Sequence, residues 1–317
     1  MKRGIVAVVV AVVGLACTAA PALAGCKVGV FAELPVTMSG LKPMVTAKID
    51  GRDARFMADS GAFYSLITPG SAAEYGLKLG AAPYGMRIEG VGGVADVSVA
   101  TVKTFTLANV PIPHVQFLVG GSETGGVGVL GQNVLGLADV EYDLAGGAIR
   151  LMKPKDCGQR ILAYWAGTKA IGEVDVSPST PYDPHTLGPV YLNGVKLRAM
   201  FDTGAGTSVV SLEAAARAGI KPGGSGVTPA GETGGLGRRL VKTWIAHVDS
   251  FKIDDEEIHN TQLFVSDLGL DGADMLLGAD FFLAHRVYVA NSQHKLYFTY
   301  NGGPVFRLDG AVMAQEG

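Results

Sequence analysis

Hydrophobic positions run along this chain in two rhythms. Near the start, Lys2 and Arg3 precede an uncharged run over residues 4–24. Its apolar centre, residues 5–16, has the length of a signal-peptide core, and Pro21 with Ala22-Leu23-Ala24 fits a small-residue cleavage site. Residues 1–24 therefore read as an export signal. The same run is long enough to span a bilayer, which leaves an uncleaved anchor as the alternative. Beyond it the rhythm changes. Apolar residues come in short runs punctuated by Gly, Asn-Gly and Asp-Gly, and residues 96–107 alternate with β-branched side chains. The pattern predicts a mostly β protein.

The β-rich part repeats itself. Residues 49–77 match 192–220 at a constant offset of 143 (59 to 202). Asp50-Gly51 falls on Asn193-Gly194, and both are type I′ hairpin signals. Arg55 and Met57 fall on Arg198 and Met200, Asp59-Ser60-Gly61-Ala62 on Asp202-Thr203-Gly204-Ala205, and Ser65 on Ser208. Each copy then predicts a short helix. Thr68 caps the first, with Pro69 at its first position; Ser211 caps the second, with Glu213 in the first turn and Gly219 after its end. Further on, Val129-Leu130-Gly131 and Leu276-Leu277-Gly278 lead into hairpins over 140–152 and 287–300, at an offset of 147 (131 to 278). The organisation expected is a first lobe over 27–153, a Pro-containing linker over 154–185, a second lobe over 186–302 and a tail over 303–317.

Composition narrows the class. The chain has 317 residues, 48% hydrophobic and 17% charged, so it can build a substantial core and is not intrinsically disordered. A net charge of -3 gives no electrostatic footprint for nucleic acid. Three cysteines are present. Leu23-Ala24-Gly25-Cys26 resembles a lipobox, so a lipid anchor at Cys26 is one reading; a Cys26–Cys157 disulfide in an oxidising compartment is the other. Removal of Cys17 with the export signal leaves an even pair, and residues 27–31 run straight into apolar sequence instead of a polar tether, which favours the disulfide.

A single Asp-Thr-Gly is a weak motif whose bland reading is a turn. Here each copy ends an apolar strand (Phe56-Met57-Ala58, Ala199-Met200-Phe201) and leads toward another apolar run (Leu66-Ile67, Val209-Val210). Burying an unpaired carboxylate there is costly. Two of them at equivalent places in duplicated lobes suggest that they meet. A close pair of carboxyls shares one proton, so that one member can deprotonate a water while the other polarises a carbonyl. Gly61 and Gly204 would let the backbones turn sharply and approach.

At these residues the chain resembles the retropepsin-like aspartic proteases, in the tandem exported bacterial form, over nearly all of the mature chain. The resemblance implies an all-β fold of two pseudo-symmetric retropepsin/pepsin-like β-barrel lobes, each with one short helix. It makes Asp59 and Asp202 catalytic, and assigns Ser60 and Thr203, with Gly61 and Gly204, to bracing the paired loops. It places Leu130-Gly131 and Leu277-Gly278 beside those loops, and gives flap roles to the Gly-rich segments containing Gly92 and Gly93 and containing Gly234 and Gly235. Arg238-Arg239 beside the second flap departs from the family pattern. The implied partner is a peptide or unfolded protein in extended conformation, with no cofactor or metal. Because one chain supplies both halves, a periplasmic or secreted monomer is expected.

Other chemistries fit less well. Residues 90–95 match G-x-G-x-x-A, but that loop must open a helix and here a strand follows. The six histidines (114, 185, 247, 259, 285, 294) lack zinc-ligand spacing and read as surface or core residues; there is no G-x-S-x-G elbow, and residues 254–257 lack EF-hand spacing. The alternative from another class is a non-catalytic peptide-binding module of the same fold in the cell envelope.

Overall fold

The structure, a computed structural model, describes residues 25–308 except 123, 179, 181–183, 238, 270 and 271. Residues 1–24, which the sequence reads as an export signal and which include Cys17, lie outside the described residues, as do Arg238 and the end of the tail. The first lobe runs through β1 (Lys27–Ser39), β2 (Lys42–Ile49), β3 (Arg52–Ala58), β4 (Leu66–Ile67), α1 (Pro69–Glu74), β5 (Leu79–Ala81), β6 (Arg87–Gly90) and β7 (Gly93–Asp96). It continues with β8 (Ser98–Leu107), β9 (Val110–Val119), β10 (Gly128–Leu130), α2 (Gln132–Leu135), β11 (Asp139–Asp143) and β12 (Ala148–Lys155). After β13 (Gly172–Asp175) the second lobe comprises β14 (Leu187–Leu192), β15 (Val195–Phe201), β16 (Val209–Ser211), α3 (Leu212–Arg217) and β17 (Val227–Thr233). It ends with β18 (Val241–Ile253), β19 (Glu256–Ser266), β20 (Met275–Leu277), α4 (Ala279–Ala284), β21 (His285–Ala290) and β22 (Lys295–Tyr300).

Local chemistry accounts for the repeated parts. Asp50 and Gly51 (φ 49° and 86°) and Asn193 and Gly194 (φ 48° and 77°) are left-handed at both central positions, as a type I′ turn requires. They set the β2–β3 and β14–β15 registers at Ile49↔Arg52 and Leu192↔Val195. The Thr68 hydroxyl accepts from Ser71 N–H with Pro69 opening α1, and the Ser211 hydroxyl accepts from Ala214 N–H at the start of α3. Besides these expected helices, each lobe has a second short one, α2 or α4, directly after its apolar-apolar-Gly segment.

Each lobe closes into a six-stranded barrel. The first runs β2-β3-β10-β4-β9-β8 and closes through β8–β2; the second runs β14-β15-β20-β16-β19-β18 and closes through β18–β14. Closure removes free edges and leaves interiors for apolar side chains. Phe56, Phe105 and Phe117 pack together in the first, with ring centroids 5.1–5.9 Å apart and all three buried. Burial of each such ring is worth about 2–3 kcal/mol.

A third sheet joins the lobes, in the order β13-β22-β21-β11-β12-β1. At its middle β11 meets β21 antiparallel, Val140↔Val289, Glu141↔Tyr288 and Tyr142↔Val287. Val140 and Val287 are equivalent in the repeat, as are Tyr142 and Val289, so a strand pairs with its own copy. That is the signature of a pseudo-twofold axis, here passing by Glu141 and Tyr288. The connection is not a loose tether: Leu162, Ala163 and Ala166 are buried in an apolar cluster with Met152, Tyr288 and Tyr297.

Cys26 and Cys157 are disulfide-bonded, joining the start of β1 to the end of β12 over a sequence separation of 131. Of the two readings of Cys26, the bridge fits the disulfide one, and it uses the sulfur that a lipid anchor would need. Reduction, or Cys157→Ser, should lower stability by about 2–4 kcal/mol through release of this long loop. Urea unfolding with and without reductant measures it; identical midpoints would show that the bridge contributes nothing.

Candidate functional site

The two Asp-containing loops are built alike. Asp59 N–H donates to Leu130 O at 2.9 Å, and Asp202 N–H to Leu277 O at 2.9 Å. These carbonyls belong to β10 and β20, each lying parallel to the strand that ends at its Asp and antiparallel to the strand beyond the loop. The threading is tight. A Cβ on Gly131 would come 2.7 Å from Ala62 O, and one on Gly278 2.7 Å from Ala205 O. The apolar-apolar-Gly segments thus hold the loops from beneath.

Across the twofold axis the loops are laced by four hydrogen bonds. Ser60 N–H donates to Thr203 Oγ1 (3.0 Å) and Thr203 N–H to Ser60 Oγ (2.9 Å). Each hydroxyl then donates onward, Ser60 Oγ to Phe201 O (2.7 Å) and Thr203 Oγ1 to Ala58 O (2.8 Å). The acceptors are the carbonyls of the residues just before the two aspartates. Both hydroxyl residues are buried, so the lacing is shielded from water.

This brings Asp59 and Asp202 within hydrogen-bonding reach of each other. The glycines make room: a Cβ on Gly61 would lie 2.3 Å from Asp202 Cγ, and one on Gly204 2.3 Å from Asp59 Cγ. Burial pushes the Asp59 carboxyl well above the usual carboxylate range, and the neighbouring Asp202 charge pushes it further. Burial also raises Asp202, but N–H groups of Gly204 (2.8 Å) and Ala205 (3.3 Å) donate to its Oδ1 and favour the ionised form. The pair therefore titrates as a unit, with the proton favouring Asp59.

Groups that the sequence did not single out support this arrangement. His185, expected to be a surface or core residue, packs edge-on to Phe63 with centroids 6.2 Å apart, and it lies close enough to Asp202 to act on its carboxyl electrostatically, in the lowering direction. Gln132 Nε2 donates to Ser60 O at 2.8 Å. Beneath each loop a serine is clamped by the first turn of the following helix. Ser65 Oγ donates to Asn133 Oδ1 (2.8 Å) and accepts from Gly131 N–H; Ser208 Oγ donates to Asp280 Oδ1 (2.7 Å) and accepts from Gly278 N–H. Ser65 and Ser208 align in the repeat, as do Asn133 and Asp280, and that shared spacing was the available signal.

Asp280 is the charged member of this pair, and burial pushes its pKa up to about 6 despite N–H donors from Ser208, Phe281 and Arg307. A raised carboxylate contributes stability that is fully present below its unfolded value of 3.8 and is lost as pH rises through about 6. Asp280→Asn should thus gain about 3 kcal/mol on the parent between pH 3.5 and pH 7. Urea titrations at both pH values read this difference, and a gap independent of pH would contradict it.

Above the loops stand the Gly-rich segments. β6 and β7 form a hairpin with Val91 and Gly92 at its tip, and Gly93 opens its second strand. Gly234 and Gly235 follow β17 and lead to the start of β18; Gly235 approaches Val91, which a Cβ there would meet at 2.7 Å. The candidate residues of both lobes thus converge on one region.

The family model described as aspartyl protease matches residues 45–134 and again 188–281, one match per lobe and more than half of the chain together. The chain belongs to the aspartyl protease family, in tandem form. Among solved structures, a retropepsin-like aspartic protease from Rickettsia conorii is similar at 21% identity, covering 42% of this chain and 94% of that one, with a TM-score of 0.31. No match was found among curated proteins.

Proposed function

We propose that this protein is an aspartic endopeptidase that hydrolyses peptide bonds with a water activated between Asp59 and Asp202. The observation that carries this reading is the approach of the two carboxyls across four reciprocal hydrogen bonds, one of them favoured to hold a proton and the other to be ionised. A water between them gives a proton to ionised Asp202 as its oxygen attacks the scissile carbonyl carbon. Asp59 donates its proton to the carbonyl oxygen, which yields a neutral gem-diol. Collapse returns one hydroxyl proton to Asp59 while Asp202 protonates the amide nitrogen. The C–N bond breaks, leaving a carboxylic acid and an amine. The brace supports this chemistry by keeping both carboxyls in place without reorganisation.

Substrate would be an extended peptide or unfolded protein, paired by its backbone with the strands above the loops. With both halves of the site on one chain, a monomer suffices. The export signal and the disulfide together support a periplasmic or secreted enzyme. The test is incubation of the mature protein with an unstructured polypeptide across pH 3–8, with new termini identified by mass spectrometry. Internal cleavage at mildly acidic pH that Asp202→Asn abolishes is expected. A folded wild type that binds the polypeptide without cutting it would replace this reading by the peptide-binding module.

A further inference from the structure

β1 begins as an open edge. Over residues 27–35 it pairs with β12 alone, and it joins β2 of the first barrel only at residues 36–39. Its first residues therefore stand at the end of the interlobe sheet away from that barrel. The register bulges between Val30 and Ala32, so Val30 and Phe31 together oppose Met152. Both are bare, Val30 exposed to 55% and Phe31 to 69%. Ile161, beside the Leu162 that packs in one cluster with Cys26 and Val28, is exposed as well.

The same end is basic. Lys27 lies directly opposite Lys155, and Lys153 opposite Gly29, which offers no side chain to face it. All three lysines are exposed, and among the described residues none has a carboxylate within ion-pair distance. Of the nearby acids, Glu33 is engaged by Arg150 at 2.6 Å, and Asp156 is offset by the exposed Arg160. Like charges facing each other across two strands cost stability, and the Cys26–Cys157 bridge holds them in that register. Protection of an edge strand against aggregation accounts for lysines and a bulge. It does not account for leaving Val30 and Phe31 bare beside them.

We infer that this end of the interlobe sheet docks on a bilayer surface containing anionic lipid. Lys27, Lys153 and Lys155 meet the headgroups, while Val30 and Phe31 enter the interfacial layer. Cations beside exposed aromatic and aliphatic side chains are what such a surface takes up. A polyanion without an apolar layer would leave Val30 and Phe31 in water. The chain carries a net charge of -3, so general attraction to anionic lipid is absent and binding must come from a local patch. Under the export-signal reading, the uncharged run over residues 4–24 joins the fold at this same end, so these residues are the first to leave the bilayer. Docking requires nothing of the aspartates and stands whether or not they cleave peptides.

Flotation of the mature protein with lipid vesicles tests the docking face. Vesicles of equal phosphatidylglycerol and phosphatidylcholine should bind it, and pure phosphatidylcholine should not. Binding should fall as salt rises toward about 1 M, where charges are screened within about 3 Å. Lys153→Glu with Lys155→Glu should weaken it on the order of twentyfold or more, at about fivefold for each lysine lost. Phe31→Ser should weaken it about tenfold. These side chains are exposed, so unfolding midpoints should not move. Lys78→Glu with Lys103→Glu, at exposed lysines elsewhere in the first lobe, makes the same change in net charge and should leave binding nearly intact. Equal weakening by the two pairs would assign binding to net charge and overturn the docking face, as would wild type that binds neither vesicle. Self-association that Phe31→Ser abolishes, in a protein that ignores both vesicles, would make this edge a contact between copies instead.

Discussion

Replacing Asp59 by Asn should abolish hydrolysis and, at the same pH, make the folded protein more stable. Removing one partner of the pair takes away the group favoured to hold the proton, and such losses run to about a thousandfold or more in rate. The stability change has the opposite sign because the Asp59 carboxyl is raised by burial and by Asp202. Its favourable contribution is complete below 3.8 and disappears as pH rises through the folded-state value. Asparagine never ionises, so it avoids that loss. Thermal unfolding at pH 7 should show a higher Tm than wild type, with the advantage vanishing near pH 3.5. An inactive variant that is also destabilised at pH 7 would mean that activity was lost by misfolding and not by removal of the acid.

The second large effect concerns the brace. Thr203→Val keeps the shape of the side chain but removes the hydroxyl that accepts from Ser60 N–H and donates to Ala58 O. Both partners lose their bond in a buried setting, at about 1–3 kcal/mol each, so the variant should lose about 2–6 kcal/mol. Thr203→Ser keeps the hydroxyl and should restore most of it. Denaturant midpoints of the two variants decide the matter. Equal midpoints would show that the buried bonds are not worth what their geometry implies. Rate should follow the same order, since the hydroxyls tie together the residues on either side of each aspartate.

Much of this architecture was legible because it is local. Asp50-Gly51 and Asn193-Gly194 dictate their turns through backbone sign alone, and Thr68 and Ser211 cap helices by bonding three residues ahead. Repetition then carried information that no single motif could, since two equivalent Asp-Ser/Thr-Gly-Ala loops imply a meeting across an axis. What stayed hidden depends on long-range partners. The β11 sequence, Asp139 to Asp143, alternates acidic and apolar residues and reads as a half-exposed strand, yet Glu141 is fully buried. Its carboxylate is tolerated because Arg150 and Arg286, from β12 and β21, both donate to Oε1 at 2.6 and 2.7 Å. Arg286 comes from the other lobe. The approach of the two Gly-rich segments was illegible for the same reason: Leu236 and Val91 look like ordinary loop residues until the opposite lobe is placed.

His185 shows a subtler limit. Its spacing to other histidines carried no meaning for a metal, and in sequence it lies 17 residues before Asp202. Thr186, its neighbour, accepts Phe201 N–H through its carbonyl at 3.0 Å, and that bond delivers the imidazole to the loop. A backbone bond between a linker and a strand leaves no trace in composition or periodicity.

The account stands on a proton shared between Asp59 and Asp202. Carbon-13 labelling of the aspartate carboxyls and NMR titration of the free protein reads that directly. The expected result is two separated steps seen by both carboxyl carbons, the upper one above the ordinary carboxylate range, collapsing to a single step for Asp202 in Asp59→Asn. Two carboxyls that titrate independently, each in one step near 3.8, would contradict it.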